Sequence, residues 1–102
     1  MFIVISHHFC KPGQTEIACE RIDKNGAAMT SEPGFLYRYR IENHAKPAVV
    51  STLTVWNAEA DYKNFREKRS ARGGHDLPSM PWDRIEGESY EVQTVHGHSP
   101  AR

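Results

Sequence analysis

Six histidines in a chain of 102 residues are its densest supply of chemistry-bearing side chains. Their spacing limits what they can do. His7 and His8 are neighbours, and His96 and His98 flank Gly97. Structural zinc sites draw their ligands as closely spaced pairs, and neither group comes with a second pair. Adjacent residues on a strand also point to opposite faces, so His7 and His8 cannot grip one metal or one substrate from a single subunit. The sequence therefore predicts no metal site. Cys10 and Cys19 fall before and inside a predicted helix without CxxC spacing. They read as free thiols of a reducing cytoplasm rather than as a disulfide. Lys68, Arg69 and Arg72 gather positive charge at the end of a predicted helix, where cations complement the macrodipole. Helix chemistry explains that cluster better than a nucleic-acid patch does.

Composition narrows the classes further. With 13 basic and 13 acidic residues, the chain carries no global electrostatic footprint for nucleic acid or an anionic membrane. No apolar run approaches the roughly 20 residues of a membrane span. The opening Met-Phe-Ile-Val-Ile-Ser lacks a basic n-region and is strongly β-branched, so it reads as a first strand rather than a signal peptide, consistent with a cytoplasmic protein. The length suits one domain with a small core, which a partner subunit would help to stabilise. That domain is expected over residues 1–96, with 97–102 a disordered tail.

The elements that must position any site follow from periodicity. Phe2 to Phe9 alternates as a strand. After the turn Lys11-Pro12-Gly13, a helix is predicted from about Gln14 to Ser31, with Ala18, Ile22, Gly26 and Met29 on one stripe. Gly26 inside it implies either a close helix–sheet contact or a kink or early end. Pro33-Gly34 stops the helix. Phe35 to Asn43 is a strand with Phe35, Tyr37, Tyr39 and Ile41 on one face, and Ala48 to Trp56 is its antiparallel successor. Asn57 is read as the cap of a second helix, which buries Ala58, Tyr62 and Phe65 and ends at Gly73-Gly74. His75 to Arg84 reads as a loop, and Ser89 to Val95 as the last strand. The order β-α-β-β-α-β is the ferredoxin-like α+β arrangement.

The β-branched run Val49 to Trp56, the helix opening directly behind it at Asn57, and the punctuation Lys11-Pro12-Gly13 and Glu32-Pro33-Gly34-Phe35 together give the chain a familiar layout. Over roughly Phe2 to Val95 it resembles the antibiotic-biosynthesis-monooxygenase (ABM) family of small dimeric α+β barrels, which includes haem-degrading monooxygenases. The resemblance implies a homodimer whose sheets pack together, covering Ile3, Ile5, Leu53 and Val55. It also implies a pocket between sheet and helices, with Ser6, His8, Thr52, Trp56, Tyr62, Phe65 and His75 projecting into it.

Three readings of that pocket follow from the resemblance. The first is cofactor-independent oxygenation of a phenolic or quinol-type substrate. Trp56 and Tyr62 match that branch and would stack and orient the substrate, while Thr52 stands where an asparagine is expected. His75 or His8 would accept the proton, with Ser6 and Thr52 as hydrogen-bond partners and Phe65 lining the substrate. Core aromatics are the competing explanation of Trp56 and Tyr62. The second reading is haem binding or degradation. By that alignment His75 is the axial ligand, whereas Ser6 and Phe65 replace an asparagine and a tryptophan. A plain loop histidine is the competing explanation of His75. The third reading is a non-catalytic dimer that binds a small molecule.

Overall fold

The computed structural model describes residues 1–71 and 79–97. Along the chain run strand β1 (Phe2–Cys10), helix α1 (Thr15–Met29), strands β2 (Phe35–Glu42) and β3 (Val49–Trp56), helix α2 (Glu59–Ala71) and strand β4 (Trp82–Glu91). The strands form one sheet in the order β2-β3-β1-β4, antiparallel at every junction. This is the ferredoxin-like α+β fold that the order of sequence signals predicts.

Register decides which side chains meet the helices. Phe2, Val4, Ser6 and His8 of β1 pair with Trp56, Thr54, Thr52 and Val50 of β3. Arg38 of β2 stands beside Thr54. These positions share one face, because strand side chains alternate. Two apolar clusters join that face to the helices. Ala18 and Ile22 of α1 pack with Val50, Met80 and Trp82. Phe2, Val4, Met29 and Trp56 form the second cluster, under Phe35, Tyr62 and Phe65.

Two glycines are fixed by geometry. A side chain at Gly26 would stand 2.9 Å from Arg38 Nη1 and 3.3 Å from its Cδ. The glycine thus admits the arginine beneath α1, which runs on without interruption to Met29. Of the two expectations for Gly26, the close helix–sheet contact is the one found. Gly34 has φ +80°, a conformation that favours glycine, and lies directly against Asp61 of α2. Its carbonyl accepts from the Asn57 backbone N–H at 2.7 Å. This bond ties the turn after α1 to the start of α2.

The other sheet face carries Ile3, Ile5, Tyr37, Tyr39, Leu53, Val55 and Tyr90. Tyr39, Ile41 and Tyr90 are exposed there. A polar chain crosses the same face. His7 Nε2 lies 2.9 Å from the Glu88 carboxylate, and its Nδ1 lies 2.7 Å from Ser51 Oγ.

Three local expectations are corrected. The last strand is Trp82–Glu91, not Ser89 to Val95. Its first half, Trp-Asp-Arg-Ile-Glu-Gly-Glu, is masked by charge because β4 is an edge strand with β1 as its neighbour, and an edge tolerates solvated side chains. Helix α2 begins at Glu59, so Asn57 lies one position outside the cap. Ala58 is exposed, and the half-buried stripe of α2 is Tyr62, Phe65 and Arg69. That stripe keeps helical spacing but ends in a cation. Among the described residues, no helix is long and apolar enough to cross a membrane.

Candidate functional site

Between the helix-facing side of the sheet and the two helices lies a cavity of about 590 Å³. Its floor consists of small side chains. Ser6 and Thr52 are cross-strand partners, and Gly87 of β4 stands opposite Ser6. Tyr62 and Phe65 of α2 line its aromatic end, and His8 and Trp82 also line it. Arg38, Arg66 and Arg69 bring positive charge to the wall, and Glu88, engaged by His7, brings a carboxylate. The size and mixed lining are those of a small-molecule site.

His8 is buried, with its ring edge-on to Trp82 at a centroid distance of 4.7 Å. Its Nδ1 donates to the Val50 carbonyl oxygen at 3.1 Å. A carbonyl can only accept, so this bond places the proton of the neutral ring on Nδ1 and the lone pair on Nε2. Burial pushes the His8 pKa below the ordinary 6.5, outweighing the Val50 bond, which raises it; Arg38, Arg69 and His7 add to the lowering. A neutral imidazole with an unshared Nε2 lone pair is a proton acceptor.

Arg38 is equally constrained. One guanidinium nitrogen, Nη1, reaches the Ile22 carbonyl oxygen and the Met29 sulfur, each at 3.4 Å. Its Nε is buried without a hydrogen-bond partner among the described residues. Burial lowers its pKa, and the nearby charge of Arg69 lowers it further. Asp23 pulls the other way, but its carboxylate is already engaged by Arg40, at 2.8 and 3.3 Å. Arg69 is itself half-buried, and desolvation lowers its pKa too.

The expected site residues separate into three groups. Ser6, His8, Thr52, Tyr62 and Phe65 converge on the cavity. Trp56 does not line it and is fully buried, at 0 % exposure. It lies beneath the lining rings, 6.0 Å from Tyr62, 5.4 Å from Phe65 and 5.8 Å from Phe35 between centroids. Trp56 therefore packs behind the Tyr62 and Phe65 rings and supports their position. His75 falls outside the described residues. Trp82, read from sequence as part of a loop, is instead a buried wall of the site.

Arg38 and Arg69 were not singled out as site residues by sequence reasoning. The available signal for Arg38 was its even position on β2, opposite a glycine in α1. For Arg69 it was the spacing from Tyr62 and Phe65 on one helix face.

No group of three or more metal-ligating side chains gathers among the described residues. The imidazole assigned to haem iron by the resemblance is His75, outside those residues, and Ser6 and Phe65 occupy the other two positions of that pattern. Cys10 and Cys19 are free thiols packed against the Ala18–Trp82 cluster. Burial pushes the Cys10 thiol pKa up, and nearby Cys19 adds to the rise, which leaves it a poor nucleophile near neutral pH.

No family model matches the chain. No curated protein matches it either. Solved structures do match over nearly the full length. A candidate antibiotic biosynthesis monooxygenase from Deinococcus radiodurans superposes with a TM-score of 0.76 at 12 % identity, covering 97 % of this chain and 99 % of its own. MhuD, a haem degrader from Mycobacterium tuberculosis with two haems bound in its active site, gives 0.77 at 16 % identity, covering 95 % and 100 %. A candidate antibiotic biosynthesis monooxygenase from Nitrosomonas europaea gives 0.73 at 16 % identity, covering 92 % and 100 %. Identities this low carry fold and not chemistry. The chain has the fold of the ABM-like proteins.

Proposed function

We propose that this protein is a small-molecule oxygenase acting without a cofactor on a phenolic or quinol-type substrate, as a cytoplasmic homodimer with one domain over residues 1–96. The observation that carries the reading is His8, held neutral with its lone pair on Nε2 in the wall of a cavity that also presents the aromatic rings Tyr62 and Phe65. His8 takes the phenolic proton. The phenolate is electron-rich and reduces O2 directly. One oxygen atom enters the ring, and the other leaves as water. All four electrons come from the substrate as it becomes a quinone, so no external reductant enters the balance. Ser6 and Thr52 supply hydrogen bonds to the substrate oxygens. Tyr62 and Phe65 orient the ring, and Trp56 holds both of them. His75, which lies outside the described residues, is the alternative proton acceptor.

The homodimer reading rests on the sheet face where Ile3, Ile5 and Leu53 are half-buried and Tyr39, Ile41 and Tyr90 are exposed; Val55, expected to need the partner, is already buried within the chain. Such an apolar face is covered in stable assemblies. The likeness to MhuD supports a second reading, in which the cavity binds haem. Oxygen-electrode assays over a panel of naphthols and dihydroxynaphthalenes test the first reading: enzyme-dependent uptake in the presence of a chelator supports it. Absence of uptake with every member, together with a stoichiometric hemin complex, would favour the second.

A further inference from the structure

We propose that the ligand of this cavity is an aromatic acid, whose carboxylate is received by Arg38 and Arg69. The inference rests on the cavity being the substrate site and adds the chemical class of what enters it. Both arginines line the cavity. Among the described residues, no carboxylate forms an ion pair with Arg38, and its Nε is buried without a partner. The acid whose charge acts on it, Asp23, is engaged by Arg40.

A guanidinium taken from water without a counter-ion is costly, and a second guanidinium close by raises that cost. Gly26 in α1 makes room for Arg38 at this position, so the fold accommodates the cation rather than turning it to solvent. The chain as a whole has no excess of positive charge, whereas the cavity is lined by Arg38, Arg66 and Arg69 against Glu88, whose carboxylate is engaged by His7. A carboxylate accepting from the planar guanidinium of Arg38 gives it a counter-ion through directional, charge-assisted bonds, and Arg69 adds a second positive charge to the same wall. The rings of Tyr62 and Phe65 then meet the aromatic body of the ligand. His8 Nε2 remains available to a hydroxyl on the same ring.

Carboxylates of this kind come from a small hydroxylated aromatic acid or from the propionates of a porphyrin, and the assay separates the two. Calorimetry on the full chain uses 1-hydroxy-2-naphthoate, its methyl ester, and metal-free protoporphyrin IX. The acid is expected to bind about tenfold or more tightly than the ester, with an affinity that falls as salt rises. Arg38→Gln and Arg69→Gln should each weaken binding of the acid more than binding of the ester, and the double variant should remove the preference. Tight binding of protoporphyrin, lost in the same variants, would identify propionates as the source of the carboxylate. Equal affinity for acid and ester, or a preference that survives both substitutions in folded protein, would overturn the proposal. Binding requires no turnover, so a preference for the acid without oxygen uptake would contradict the oxygenase reading alone.

Discussion

His8 Nδ1 donates to the Val50 carbonyl oxygen across the β1–β3 pair at 3.1 Å. The bond belongs to the sheet, so the tautomer of a residue in the cavity wall is fixed by backbone rather than by a neighbouring side chain. A fixed tautomer makes the ring an acceptor at Nε2; burial, with Arg38 and Arg69 nearby, makes its protonation costly in spite of the Val50 bond, which favours the charged form.

The pH dependence of stability follows. His8 titrates below 6.5 in the folded protein and at about 6.5 when unfolded. Between those two values the unfolded chain binds more protons, so stability rises with pH. The contribution is fully present above pH 6.5 and is lost as pH falls through the lowered folded value. Thermal unfolding of wild type and His8→Gln at pH 7.5 and 5.5 checks this. The wild type should lose more stability on acidification than the variant, and parallel losses would contradict the assignment.

Trp56 should behave as core. Replacing a fully buried tryptophan by alanine costs about 3–5 kcal/mol, a large share of the roughly 5–15 kcal/mol that a domain has. Denaturant melts of Trp56→Ala should show a loss of that size. The milder Trp56→Phe should fold, bind aromatic ligands more weakly through displaced Tyr62 and Phe65, and keep the ligand-induced changes that arise at Trp82. A Trp56→Ala variant as stable as the wild type would disprove the core role.

The fold was legible in the sequence because its signals are local. Alternation in Phe2 to Phe9 and Val49 to Trp56, and the stop at Pro33-Gly34, each depend on a few neighbouring residues. Strand β4 was read too late because Arg84, Glu86 and Glu88 lie on an edge, where charge hides the period. The cavity's small floor and rings were legible by parity. The arginines were not, because an arginine on a half-wet strand face and one in the last turn of a helix both have ordinary solvent explanations. Only the packing of α1 over β2, with Gly26 above Arg38, distinguishes them.

Gly26→Ala tests that packing. Alanine favours the helix by about 1 kcal/mol, yet its methyl group would press on the Arg38 guanidinium. Stability should change little, whereas the preference for 1-hydroxy-2-naphthoate over its ester should fall. An unchanged preference would show that Arg38 has room to move without consequence.

The dimer should depend on Leu53. An aspartate there would place an unpaired carboxylate in the joint between two sheets, at a cost far above that of a surface change. Light scattering at micromolar concentration should give a dimer for the wild type and a monomer or aggregates for Leu53→Asp. A folded wild-type monomer would refute the assembly.

Oxygen incorporation tests the central claim most directly. Full-length protein, chelator and ¹⁸O₂ are incubated with the naphthol and dihydroxynaphthalene panel, and the products are analysed by mass spectrometry. The account predicts, for at least one substrate, a quinone carrying one heavy oxygen atom, one O2 consumed per product, and a rate that collapses in His8→Gln while folding and ligand binding persist. Unlabelled product throughout, or labelled product formed as fast by His8→Gln as by the wild type, would contradict it.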